Sequence, residues 1–332
     1  MNDAVEATKP KAGFDYKKFL SNWGSVLALI IIFVFFAVTM PKTFLSPGNI
    51  VTILRSISVT TTIAIGLTIT LAVGGFDLSA GSLASWAGVL IISFFTWHQV
   101  GMWLSIPLTI LAAIITNLLA MLLIVRFKVP DLLATLAMMF MLDGLSLTYS
   151  GGGALSQGMP RADGSPTFGK IPEAFKSMGQ APTIIIIMIV VVLLAHIFLT
   201  YTKYGRFIYA TGENKEAARL SGIPVQRYRL FAGILATFFI ALGGILVASR
   251  NMSAQIQGAA GFSMPAISAV FIGRSIAGAE KPNAIGTFIG AALVGILENG
   301  LIMMSVPYYS LDMVKGIVLA VALASAYSSA RR

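Results

Sequence analysis

Side chains able to do chemistry are scarce in this 332-residue chain, and the chain has no cysteine and only two histidines. Without thiols there are no disulfides, no thiolate nucleophile and no cysteine metal site. His98 and His196 lie far apart, so no metal site is expected. No glycine-rich loop followed by Lys-Ser/Thr occurs, so the chain does not bind a nucleotide phosphate through a P-loop. What remains is a set of polar groups inside apolar stretches: Asn117, Asp143, Glu298 and Asn299, with Asp312 and Lys315 beyond them. Ionisable groups inside a bilayer are costly and usually mark a pathway or a pairing. Asp312 and Lys315, three apart, can pair on one helix face. Asp143 and Glu298 keep two readings: proton or cation sites, or polar groups at a subunit interface or an outer mouth.

The elements that hold these groups follow from composition. The chain is 57% hydrophobic and 11% charged, against about 25% charged in soluble domains. Runs near 20 residues recur along it, each long enough for a hydrocarbon core of about 30 Å. The pattern predicts an all-α polytopic membrane protein with about ten spans, at 23–40, 54–73, 78–96, 102–125, 131–149, 182–200, 229–248, 264–279, 284–304 and 309–327. The eighth is short and the third polar, so either can be bent or re-entrant. Residues 1–22 are polar and the first apolar run is full length, which reads as a retained first span rather than a cleaved leader.

The net charge of +10 is spread over loops and ends, as the positive-inside rule requires, and gives no nucleic-acid surface. With ten spans both termini share one side. That side carries Lys9, Lys11, Lys17, Lys18, Arg126, Lys128, the basic residues of 201–229, Lys281, Arg331 and Arg332, and is therefore cytosolic. Segments 1–22, 201–228 and 329–332 then face the cytosol, and the long loop 150–181 faces outward from the membrane domain of 23–328.

Two segments interrupt the apolar pattern. In GGFDLSAGS, Gly74 and Gly75 allow a tight turn or unwound backbone, while Asp77 or Ser79 can cap the next helix. Gly74, Gly75, Phe76, Asp77, Leu78 and Ser79 read either as a capped turn or as a gate at the cytosolic end of a pathway. In ATGENKEAARLSGIPVQRYR, a short helix is expected from about Lys215 to Leu220, capped by Asn214, with Glu216 in its first turn and Gly222 and Pro224 ending it. A faint echo links GGFDLSAGSLASWAG (74–88) with AGFSMPAISAVFIG (260–273), and an inverted repeat is one reading of it.

Three segments in register resemble the permease subunits of ribose-type sugar ABC importers. They are GGFDLSAGS (74–82), GRFIYATGENKEAARLSGIPV (205–225) and IGTFIGAALVGILENGL (285–301), and the likeness extends over roughly 20–328. The resemblance implies a dimerising sugar channel in the bacterial inner membrane. Its partners would be a cytosolic ABC ATPase, an extracytoplasmic sugar-binding protein, a second permease copy or a paralogue, and membrane lipid, with no nucleic acid. The chain would be no enzyme and bind no cofactor, ATP and Mg residing on the ATPase. Glu213, Asn214, Lys215, Glu216, Ala217, Ala218, Arg219, Leu220, Ser221 and Gly222 would form the coupling helix that docks on that ATPase. FIGRSIAGAEKPNAIGT (271–287) departs from the family by placing Arg274, Glu280 and Lys281 where small residues are usual. The rival reading is an ion-coupled secondary transporter working through Asp143 or Glu298.

Overall fold

The computed structural model describes residues 16–274, 281–307, 309–311, 313–314, 316–317 and 320, with side chains from Trp23 onward. Glu280, Asp312, Lys315, most of the expected tenth span and the tail 329–332 lie outside the described residues. The described chain is almost entirely helical: α1 Tyr16–Thr39, α2 Pro41–Phe44, α3 Pro47–Ala72, α4 Ala80–Thr96, α5 Met102–Val125, α6 Asp131–Ser150, α7 Glu173–Met178, α8 Thr183–Tyr201, α9 Lys203–Glu213, α10 Lys215–Leu220, α11 Val225–Asn251, α12 Ser263–Arg274 and α13 Ala284–Met303. One two-residue antiparallel pair, β1 Leu155–Ser156 with β2 Ser253–Ala254, ties the loop after α6 to the segment after α11.

Helices α3, α5, α6, α8, α11 and α13 are long and apolar enough to cross a bilayer; the apolar part of α1 (Trp23–Thr39) and α4 are shorter. Local chemistry fixes several ends. Ser46 caps α3 by accepting from Asn49 N–H, with Pro47 in the first turn where its missing N–H costs nothing. Asn283 caps α13 by accepting from Gly286 N–H at 2.6 Å.

The helices form two shells. Helices α3 and α11 are about two-thirds buried and α13 nearly so, whereas α5, α6 and α8 are buried over about a third or less of their length. The outer helices present Leu111, Ile115, Leu122, Ile186, Val190 and Leu193 outward, as lipid contact requires. The inner shell packs through small residues. A side chain at Gly244 of α11 would collide with the Ala84 carbonyl of α4, and one at Gly290 of α13 with the Ala269 carbonyl of α12. Such close backbone approach is how helices gain packing energy in lipid, where no hydrophobic drive between them exists.

Two crossings are not continuous helices. At 17 residues, α4 is about 26 Å long, and the unwound 73–79 stretch precedes it. The 252–262 segment turns back into the protein: Ala259 N–H donates to Ser85 Oγ at 2.9 Å, about 17 Å along α4 from its outer end. Gly81 of α4 meets Ala260 and Ser263, so the two echoing sequences pack against each other at their helix starts. Within 201–228, where a short helix is expected only over about Lys215 to Leu220, the chain forms that helix as α10 and adds the amphipathic α9 before it.

The Gly244–Ala84 contact gives a direct test. Gly244→Val should cost about 1–3 kcal/mol by overpacking and lower the thermal midpoint in detergent. Gly48→Ala, where a methyl meets nothing within 4 Å, should leave it unchanged.

Candidate functional site

The expected coupling helix forms where its local signals put it. Asn214 Oδ1 accepts from Glu216 and Ala217 N–H, both at 3.0 Å, and opens α10. The helix closes on Gly222 at φ +80°, with Gly222 N–H donating to Arg219 O and Ile223 N–H to Ala218 O. This paired closure needs a left-handed residue just past the helix end, a conformation glycine adopts without strain. Ala218 is buried, while Leu220 is 84% exposed and stands out from the protein. Glu216 and Arg219 pair at 2.7 Å on the open face, a contact worth little in water.

Helix α9 seats α10 on the membrane domain. Gly205, Ile208 and Thr211 form its buried face. Its phenol Tyr209 donates to Pro282 O at 2.6 Å, and burial pushes that hydroxyl up to about 12. Glu213 pairs with Lys281, so one charge of the 271–287 segment is spent on anchoring α9 near the start of α13. Arg274 ends α12.

The same end of α9, at Gly212, touches the expected gate. Gly74 closes α3 at φ +75°, donating to Leu71 O at 3.0 Å, and Gly75 N–H reaches Thr70 O at 2.9 Å. A Cβ on Gly74 would lie 3.1 Å from the Gly212 backbone of α9. After this turn Phe76 is half-buried and Asp77 is buried. Asp77 Oδ1 accepts from Ser79 N–H at 2.7 Å and Ser79 Oγ–H at 2.6 Å. Leu78 N–H donates to Thr135 Oγ1 of α6 at 3.2 Å. Asp77 therefore organises the unwound turn that leads into α4, and cavities lined by Gly75, Phe76 and Asp77 hold only about 20 Å³.

An ion pair absent from the sequence reading underlies this turn. Arg229 at the start of α11 donates to both carboxylate oxygens of Asp131, at 2.5 and 2.6 Å, with side chains only 15% and 20% exposed. Asp131 also lies 2.9 Å from the Cβ position of Gly75 and occupies the first turn of α6, where a negative charge suits the helix dipole. Its partner is 98 positions away in sequence, so no local pattern announces it. An acidic residue just after Val129-Pro130 was the only available hint.

The intramembrane polar residues are not gathered at one point. Asn117 Nδ2 donates to Thr237 Oγ1 at 2.6 Å and joins α5 to α11. Asp143 accepts from Gln257 Nε2 at 2.8 Å at an exposed place beside the re-entrant segment. Asn299 exchanges two amide hydrogen bonds with Asn49, at 3.0 and 3.1 Å, fastening α13 to the first turn of α3. Glu298, half-buried, lines an outer cavity beside it. Glu213–Gly222 and Gly74–Ser79 thus come together through α9, whereas Asn117, Asp143, Glu298 and Asn299 are distributed over helix contacts and the opposite end of the bundle.

Residues 49–323 match a protein family described as branched-chain amino acid transport system, permease component. Over 312 residues the chain is 32% identical to a ribose import permease protein of Haemophilus influenzae, covering 94% of this chain and 95% of that one. It is 32% identical over 304 residues to a ribose import permease protein of Bacillus subtilis, covering 92% of each. It is 27% identical over 323 residues to an L-arabinose transport system permease protein of Escherichia coli, covering 95% and 93%.

Removing Arg229 should leave Asp131 buried and uncompensated. Arg229→Gln is expected to destabilise the protein by about 3 kcal/mol, read from thermal or denaturant unfolding in detergent. The Asp131→Asn, Arg229→Gln pair should recover most of that loss, and a fully additive double variant would rule the coupling out.

Proposed function

The chain belongs to this permease family, and from that premise we propose that it is the membrane-spanning permease subunit of an ATP-binding-cassette importer that translocates a sugar such as ribose or a related monosaccharide. It is a multi-pass protein of the bacterial inner membrane, with helices long and apolar enough for that role. In the proposed topology ten spans leave both termini cytosolic, with 201–228 on the cytosolic side and 150–181 outside. A cytosolic ATPase, holding ATP and Mg, drives it; an extracytoplasmic binding protein docks on parts of 41–53 and 150–181 and delivers the sugar. A second copy, or a paralogue, completes the pathway.

The single observation that carries the mechanism is the unbroken chain of contacts from α10 through α9 to Gly74. Helix α10 presents Glu216, Arg219 and Leu220 outward for a soluble partner. Movement of α10 drags α9, because the two helices share Asn214 as hinge and cap. At Gly212, α9 bears on Gly74 backbone to backbone, with no flexible side chain to absorb the displacement. The turn 74–79 sits between α3 and α4, so a shift there alters the relative position of two inner-shell helices. Alternating access then needs only that ATP-driven closure of the ATPase pair favour one arrangement of this turn over the other. The ion-coupled alternative is the weaker reading: Asp143 is engaged with Gln257 at the outer face, away from the chain of contacts that leads to the gate.

The test is ATP-dependent sugar uptake in proteoliposomes holding this chain with its ATPase and binding protein. Glu216→Lys with Arg219→Glu should weaken ATPase association and lower uptake at least about tenfold, the effect of reversing rim charges at a docking surface, while unfolding stability stays unchanged. Uptake that persists without the ATPase and is lost in Asp143→Asn would establish the ion-coupled carrier instead.

A further inference from the structure

A cavity of about 270 Å³ lies where the turn between α5 and α6 meets α10 and the first residues of α11. Its lining holds three cations, Lys128, Lys215 and Arg229, against one carboxylate, Asp131. Arg229 and Asp131 neutralise each other, so the charge of two lysines is left over. Both lysines are exposed, and among the described residues neither forms an ion pair. Like charges brought to one space from separate elements repel, and an anion between them turns that repulsion into attraction.

The backbone at Lys128 points the same way. It turns left-handed there, at φ 56°, just past the end of α5, and Val129 N–H donates to Leu123 O at 3.0 Å. Glycine is the usual residue at such a place, because it adopts the conformation without strain. Closing the helix therefore does not call for lysine; what lysine adds is a cation at the cavity. The surroundings separate a lipid from a free ion. Phe127 beside Lys128, and Leu132 and Leu133 in the first turn of α6, are half or more exposed. Ile124, Val125 and Val129 line the cavity itself. A cationic space edged by apolar side chains suits a phosphate ester carried on acyl chains, as basic pockets between membrane helices do.

We infer that this cavity is a binding site for the phosphate of an anionic phospholipid, with Lys128 and Lys215 holding the phosphate and Phe127, Leu132 and Leu133 beside the acyl chains. A phosphate shared by the two lysines ties the α5–α6 turn to α10. The lipid then braces α10 at a place distinct from its outward Glu216, Arg219 and Leu220. Arg229 stays committed to Asp131 beneath. The site holds whatever solute the protein imports.

The test uses the full chain in a neutral detergent, with lipid retention read by native mass spectrometry and stability by thermal unfolding. Lys128→Gln and Lys215→Gln should each weaken retention of dioleoyl phosphatidylglycerol about fivefold, the scale of one lysine near an anionic surface. Wild type should retain that lipid at least about tenfold better than dioleoyl phosphatidylcholine, the scale of both lysines together. Lys42→Gln with Lys170→Gln, the same loss of charge elsewhere, should not weaken retention. Lys128→Gly gives the sharpest split: the lipid-free thermal midpoint should rise as strain is relieved, while phosphatidylglycerol retention falls. Equal retention of the two lipids, or retention unaltered by both lysine changes, would overturn the site. Displacement of phosphatidylglycerol by millimolar inorganic phosphate would make it a free-anion site and overturn the lipid assignment. Lysine variants that lose ATPase association in phosphatidylcholine membranes, with no lipid selectivity in wild type, would assign the two lysines to the ATPase surface instead. Lipid retention is measured on this chain alone, so a failure of sugar uptake would overturn the importer reading and leave the lipid site standing.

Discussion

The backbone contact between Gly74 and Gly212 is the constraint on which the half of the protein around α9, α10 and the 74–79 turn depends. Each glycine does two things at once. Gly74 ends α3 in a left-handed conformation and offers no Cβ to the neighbouring helix. Gly212 lets α9 come down onto the Ala72 carbonyl and the Gly74 amide. Any side chain at either place would hold α9 away from α3 and interrupt the path from α10 to the unwound turn. Side chains can rotate and absorb a small displacement, whereas packed backbone cannot; stiffness at this point is a requirement for passing motion on.

Around that contact the protein uses electrostatics for anchoring and small residues for packing. Asp131 and Arg229 neutralise each other where α6 and α11 meet the turn. Glu213 and Lys281, with the Tyr209 hydroxyl on Pro282, fix α9 to the entry of α13. Within the membrane the inner helices come together through Gly244 on Ala84 and Gly290 on Ala269, while hydroxyls such as Thr68 and Thr287, 2.7 Å apart, join α3 to α13. These groups have partners, which offsets the cost of burying them in a low-dielectric interior.

The opposite half is arranged differently. The re-entrant segment 252–262 descends beside α4 and carries Ala259 to Ser85, Gln257 to Asp143 and Phe262 to the cavity wall. Irregular backbone at that depth is tolerated because it is surrounded by protein and borders a polar space. Its counterpart is the 74–79 turn, where Asp77 satisfies the free N–H and hydroxyl of Ser79. The two unwound stretches meet at the first turns of α4 and α12, where Gly81 packs against Ala260 and Ser263.

How much of this was legible beforehand follows the range of the interactions. The apolar runs, the Asn214 cap, the Gly222 closure and the boundaries of α10 were readable because each is decided by residues within one or two turns of one another. The echo between 74–88 and 260–273 was visible as a pattern, but only the tertiary structure brought the two segments into contact. Helix α9 was missed because its signal is short and weak: Gly205, Ile208 and Thr211 at three-residue spacing within a basic, tyrosine-rich stretch.

What the sequence by itself determined is the membrane character, the long apolar helices and the capped helix α10, since hydropathy, capping and charge are local properties. What only the tertiary structure decided are the Asp131–Arg229 pair, the Asn49–Asn299 clamp, the Gly74–Gly212 contact and the outer cavity. Their members are distant along the chain, 98 and 250 positions for the first two. Such contacts carry no local signature, because what fixes them is which helix faces pack together.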